Sequence, residues 1–157
     1  MSAQSDFLRL DIELAHANLE KGGRSFGAVV VRNGEIVAKG VNEIITTNDP
    51  TADAEMTAIR TASQKLGSPS LEGCAVYASG HPCPMCMAAM RLAGVREVTY
   101  AYSNDDGAPY GLSTAAIYAD LAKPFQEQSM KISYVPLRIE ARADLSEAWK
   151  KKQDEQE

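Results

Sequence analysis

Two cysteines stand three residues apart in Pro82-Cys83-Pro84-Met85-Cys86, at the expected start of a helix. That spacing lets both thiols face one point, and the positive end of a helix favours the thiolate, the form that binds metal. A single C-x-x-C supplies two ligands, whereas zinc usually takes four. On the spacing alone, metal binding and thiol–disulfide chemistry stand level. A second group, Asp53-Ala54-Glu55, follows Pro50-Thr51 at the entrance of an earlier helix. Carboxylates at i and i+2 do not share a helix face, so one is free to reach a metal while the other points past it. Acidic residues also favour a first helical turn for dipole reasons alone, so this pair by itself establishes no site.

The elements that must position these groups follow from periodicity and punctuation. Leu8, Ile12, Ala15 and Leu19 fall at helical spacing, predicting a helix over residues 5–20 that ends at Gly22-Gly23. Gly27 to Val31 reads as a strand, Asn33-Gly34 as a hairpin turn, and the return strand as running to about Ile45. Thr46 to Thr51 is a loop, and Ala52 to Leu66 a second helix. Beyond it, strands over 74–78 and 95–102 alternate with helices over 84–93 and 113–121, the last capped by Ser113. Lys131 to Leu137 is a final expected strand, Arg142 to Lys152 a closing helix packed through Trp149, and Gln153 to Glu157 a solvated tail. This order predicts an α/β fold, a three-layer α/β/α sandwich around a mixed sheet of about five strands, with parallel crossovers in the second half. Helix starts beside strand ends are where such folds gather their chemistry, and both groups fall there.

Composition narrows the class. The chain of 157 residues fits one domain, residues 1–157. No apolar run is long enough for a bilayer and the first six residues carry no export pattern, so a cytoplasmic protein with no membrane partner is expected. Three cysteines in such a chain point away from a disulfide framework. A net charge of −5 and a pI near 5.1 disfavour nucleic acid as a partner. Lys150 to Lys152 is the one basic run, and acidic residues follow it directly.

Taken together, Asp53-Ala54-Glu55 and Pro82 to Cys86 resemble the H-x-E…P-C-x-x-C signature of zinc nucleobase deaminases. Phe26 to Val31, Asn48 to Ala52 and Thr57 to Arg60 match as well, and the chain resembles the cytidine deaminase-like superfamily, nearest its bacterial guanine deaminase branch. The likeness is good over residues 25–102 and loose elsewhere. It implies a zinc-dependent aminohydrolase that releases ammonia from a small amino-heterocyclic base: a purine, pyrimidine or triazine base, or a nucleoside. Cys83 and Cys86 match two thiolate ligands, and Asp53 occupies the place of a histidine ligand. Glu55 matches the proton shuttle, which takes a proton from the metal-activated water before hydroxide attacks the amine-bearing carbon. Phe26 matches an aromatic that packs on the ring, and Asn42 a residue that hydrogen-bonds to the base. A homodimer is implied too. The competing readings are an inactive binding protein on the same fold and an adenosine deaminase acting on tRNA.

Three departures from that branch bear on substrate and metal. Two thiolates and a carboxylate leave a zinc site near −1, where histidine would leave it neutral. His81 stands where related guanine deaminases carry glutamate, and is expected to offset this charge as an outer partner of the metal ligands, the alternatives being a zinc ligand in its own right or a loop histidine with no role. The branch's adjacent aspartates after the fourth strand are replaced by Ser113-Thr114 in the simplest alignment, with Asp105-Asp106 lying earlier. Thr114 then becomes a substrate-facing hydroxyl, which suits a donor–acceptor pattern different from that of guanine. Finally, the C-terminal aromatic that closes the pocket in that branch is missing.

Overall fold

The computed structural model describes residues 2–156, so Met1 and Glu157 lie outside the account. Helix α1 (Ala3–Glu20) starts at Ser2, whose hydroxyl accepts the Ser5 N–H. Strands β1 (Gly27–Arg32) and β2 (Glu35–Val41) form the expected hairpin. Asn33 and Gly34 both take positive φ, 52° and 78°, as the tight primed turn demands. A short helix α2 (Ile44–Thr47) precedes α3 (Ala54–Leu66). Then come β3 (Cys74–Gly80), α4 (Pro84–Ala93), β4 (Glu97–Tyr102), α5 (Asn104–Gly107), α6 (Ala115–Leu121) and α7 (Leu145–Glu155).

The sheet has four strands in the order β2-β1-β3-β4. Only β3 and β4 run parallel, joined by α4, while β1 pairs antiparallel with both β2 and β3. Alternation along β1 splits the core into two layers. Ala28 and Val30 face α3 and α4 with Ala54, Ala58, Val76, Ala78 and Met90, while Val29, Val31 and Tyr77 face Phe7, Leu8 and Leu14 of α1. The mixed, three-layer α/β/α arrangement is therefore present around four strands.

The expected fifth strand is absent. Residues 131–139 form no regular element. Pro136 lacks the N–H a ladder needs, and the Leu137 N–H closes a local turn onto the Val135 carbonyl at 2.8 Å. The return strand also stops early, at Val41, because the chain turns at Asn42 into α2. Thr114 holds the N-cap position of α6 without a side-chain capping bond, and the expected Ser113 hydroxyl accepts the Ala115 N–H at 3.2 Å. The closing helix starts later, at Leu145, where the Asp144 carboxylate caps it, and continues through most of the expected tail to Glu155. Trp149 is 67% exposed, not core: α7 is polar nearly throughout and buries no side chain. Residues 2–122 and 123–156 form two compact units. Among the described residues no helix is long and apolar enough to cross a membrane.

Two glycines let the layers approach closely enough to build a site. A Cβ on Gly40 of β2 would collide with the Ala54 carbonyl and lie 2.5 Å from the Ala58 amide nitrogen, so Gly40 is what allows the first turn of α3 onto the sheet. A Cβ on Gly80 would sit 2.9 Å from the Phe26 ring.

One core residue is an ionisable group. Asp11 of α1 is fully buried, and neither carboxylate oxygen has a hydrogen-bond partner. Burial, and secondarily the charge of Glu55, pushes its pKa up to about 9. The folded chain thus holds a proton that the unfolded chain releases near pH 4, and stability drains away as pH rises from there towards 9. Asp11→Leu is expected to stabilise the protein by about 1–3 kcal/mol at pH 8. The gap to the parent chain should widen between pH 5 and pH 9, as read by urea unfolding across that range.

Candidate metal and acid–base site

The site forms where two helix N-termini meet the carboxyl end of β3. Asp53 is the N-cap of α3, extended at φ −72° and ψ 163°, with its Oδ1 accepting the Ala54 N–H at 2.8 Å. Cys83 is the N-cap of α4, and Pro84 in the first turn presets the helical φ. Cys86, fully buried one turn later, points back to the same place. Cys83 Sγ and Cys86 Sγ are 3.4 Å apart, and Cys86 Sγ lies 3.4 Å from Asp53 Oδ2. One ligand atom from each of Asp53, Cys83 and Cys86 falls within 4.8 Å of the other two.

These separations suit zinc. Bonds of about 2.3 Å to sulfur and 2.0 Å to oxygen at tetrahedral angles put sulfurs about 3.8 Å apart and sulfur about 3.5 Å from oxygen. Three protein atoms leave the fourth of zinc's usual places to a water or a substrate atom. The electrostatics also call for a cation. The hydrogen bond shared with Cys86 holds the Cys83 thiol below its ordinary range, while the same bond and burial drive Cys86 upward. The cluster thus keeps a proton where a metal would replace it. The N-termini of α3 and α4 both direct positive potential at this point.

Glu55 lies in the first turn of α3, 4% exposed. Burial, and then the neighbouring Asp53 carboxylate, pushes its pKa up to about 8, into the range where a carboxyl both gives and takes protons near neutrality. It lines a pocket of about 260 Å³ together with Phe26, Asn42, Asp53, His81, Cys83 and Thr114. Six of the expected site residues thus share this pocket with Glu55, and the eighth, Cys86, is buried at the cluster.

Individual positions are informative. Asn42, 2% exposed, accepts the Ile44 N–H at Oδ1 and donates from Nδ2 to Asp53 Oδ1 at 2.9 Å, so one amide hydrogen is left for a ligand. Thr114 is half-buried, with its amide and hydroxyl both directed at Asn104 Oδ1. His81 is not among the clustered ligand atoms. Its ring packs beside Tyr100 and Tyr118, and its buried Nδ1 has no hydrogen-bond partner. The Tyr118 hydroxyl donates to the Pro82 carbonyl and ties α6 to the cysteine loop. Asp106 spends its carboxylate on the Ser103 N–H in a capping box, and neither it nor Asp105 borders the metal pocket.

Sequence reasoning missed Arg24, Ile44, Pro50 and Leu112 on the pocket wall. No local pattern marks them, since they arrive from separate loops. A larger cavity of about 500 Å³ shares Phe26, Gly80, His81 and Leu112 with this pocket and opens along α1.

Comparison with known proteins agrees with this geometry. The family model for the cytidine and deoxycytidylate deaminase zinc-binding region matches residues 1–102. The guanine deaminase of Bacillus subtilis (strain 168) is 42% identical over 132 residues, spanning 83% of this chain and 85% of that protein. The tRNA-specific adenosine deaminase of Aquifex aeolicus (strain VF5) is 36% identical over 146 residues, 92% of this chain and 93% of its own length. The X-ray structure of guanine deaminase from Bacillus subtilis superposes with a TM-score of 0.79 at 37% identity, covering 97% of this chain and 92% of that one. With paired thiols and an acidic cap at the helix starts, a buried carboxyl beside them, and a family match over well over half its length, the chain belongs to the zinc-binding cytidine and deoxycytidylate deaminase family.

Proposed function

We propose that this protein hydrolyses the exocyclic amine of a small amino-heterocyclic base, guanine or a related purine, pyrimidine or triazine, to a carbonyl and ammonia. The observation that carries the reading is the buried Glu55 carboxyl in one small pocket with the Asp53–Cys83–Cys86 cluster. Zinc held by those three residues would supply Lewis acidity that makes water a nucleophile near pH 7. Glu55 takes the proton of the attacking water on its carboxylate. It passes that proton to the ring nitrogen, then takes the proton of the newly added hydroxyl as the carbonyl forms and gives it to the departing amine, which leaves as ammonia. Phe26 offers a face for the ring, Asn42 its free amide hydrogen, and Thr114 a hydroxyl at the wall. The imidazole of His81 is assigned to offsetting the charge that Asp53 adds, supported by its place on the pocket wall and its unpartnered buried Nδ1.

A small base is favoured over tRNA by charge. The basic run at Lys150 to Lys152 is met by its own helix, where Lys150 pairs with Asp154 at 2.9 Å and Lys152 with Glu155 at 3.5 Å. Such exposed pairs add little stability, but they leave little net positive potential for a phosphate backbone. The absence of a carboxylate at Thr114 favours bases other than guanine within the class. A homodimer in the cytoplasm completes the proposal. Exposed Tyr100, Tyr102, Tyr110 and Ile117 in residues 2–122, and Tyr134, Leu137 and Trp149 in residues 123–156, are the apolar surface that such an assembly would cover.

Two experiments test this. A panel of amino-heterocycles assayed for ammonia should yield at least one substrate, and Glu55→Gln should lower its kcat roughly 10²- to 10⁴-fold while zinc content stays unchanged. Ammonia release surviving in that variant would remove Glu55 from the mechanism. Metal analysis of the purified protein should give about one zinc per chain. Chelation should lower the melting temperature, and Cys83→Ser or Cys86→Ser should lose the metal. A chain that never takes up zinc would leave the inactive binding protein as the better reading.

A further inference from the structure

A carboxylate at position 53 raises a problem that an imidazole would not. It has two equivalent oxygens, and a freely turning carboxylate can meet a cation with either or both. In this chain the choice is already made. Oδ1 accepts two hydrogen bonds, from the Ala54 N–H at 2.8 Å and from Asn42 Nδ2 at 2.9 Å. Oδ2 is the oxygen 3.4 Å from Cys86 Sγ.

Asn42 is itself held on every side. Its Oδ1 accepts the Ile44 N–H at 3.1 Å, and its own N–H donates to the Phe26 carbonyl at 3.2 Å. Its carbonyl accepts from Asn18 Nδ2 at 2.8 Å, and that nitrogen also reaches the Arg24 carbonyl at 2.7 Å. Asn18 is fixed in turn by close packing, since a Cβ on Gly23 would fall 2.5 to 2.8 Å from its amide atoms. An unbroken chain of hydrogen bonds therefore runs from α1 through Asn42 to the metal-facing carboxylate.

We propose that Asn42 is a positioning residue for the metal. It pins Oδ1 of Asp53 so that the carboxylate presents Oδ2 alone to the thiol pair, and its N–H dipole draws negative charge away from that ligand. The inference rests on the zinc reading given above and adds a role for Asn42 beyond contact with a base. It also explains how this chain works with aspartate at that position: the extra charge is spread into two N–H donors instead of being removed.

The test is zinc affinity, measured by competition with a chromogenic chelator on the full chain. Asn42→Ala is expected to weaken zinc binding about ten- to hundredfold. Asn42→Ser keeps a small polar group near Ile44 but is too short to reach Asp53, and should weaken it similarly if the alanine variant folds poorly. Thermal melts of the metal-free proteins report folding separately. In an Asp53→His background the outer ring N–H is itself a donor and offers Asn42 Nδ2 no acceptor to pin, so the same substitutions should change affinity by about twofold or less. Unchanged zinc affinity in both Asn42 variants of the parent chain overturns the proposal, as does an equal loss in the histidine background, which would mark a merely structural role. A parent chain that binds no zinc overturns the zinc reading itself, and this inference with it.

Discussion

The structure is organised around one electrostatic constraint: three groups that are all negative when they hold a metal must lie within a few ångströms of each other in a partly buried place. Asp53, Cys83 and Cys86 meet that constraint because two of them are helix N-caps. A cap residue sits at the positive end of its helix with an extended backbone, so its side chain turns towards the next donor or cation rather than along the helix. Two helices that begin side by side at the end of the central strands thus concentrate both the ligands and the potential that tolerates them. Without a cation, the hydrogen bond between the two thiols pushes Cys83 down and, with burial, pushes Cys86 up.

The rest of residues 2–122 serves that meeting point. β1 and β3 are buried along most of their length and give α3 and α4 a common floor. Gly40 lets the start of α3 come down onto β2, and Gly80 leaves room for the Phe26 ring at the pocket wall. Glu55 shares a turn with Asp53 and gains its raised proton affinity from the same burial and the same neighbour. The raised proton affinity of Glu55 and the clustering of the three candidate ligand groups are therefore two outcomes of one packing arrangement, and a change that opens the first turn of α3 to water would undo both.

Much of this was legible before any coordinates because the strongest signals are local. Pro84 inside the start and Gly94 just past the end, at φ 92°, define α4 as Pro84–Ala93, the range that punctuation alone predicts. The Asn33-Gly34 turn and the two ligand groups are equally short-range. The misses are non-local. Lys131 to Leu137 carries strand-forming residues, but strand propensity expresses fit to a neighbouring pleated surface, and Pro136 weakens the one candidate. Trp149 reads as core on hydrophobicity and lies exposed on a helix with no buried side chain. The antiparallel pairing of β1 with β3 depends on the order in which strands assemble, which the pattern of elements leaves open. At the site, spacing places Asp53 beside the thiols, while the hydrogen bond from Asn42 joins residues eleven apart through a turn that the strand pattern ran past.

The central claim is that a carboxylate completes a two-thiolate metal site in this chain. X-ray absorption at the zinc edge of the metal-loaded protein tests it most directly. The account predicts two sulfur scatterers at about 2.3 Å, with light scatterers near 2.0 Å filling the remaining places and no imidazole ring signature. A clear histidine signature would bring His81 into the ligand set in place of Asp53, and a shell without two sulfurs would contradict the thiol pair itself.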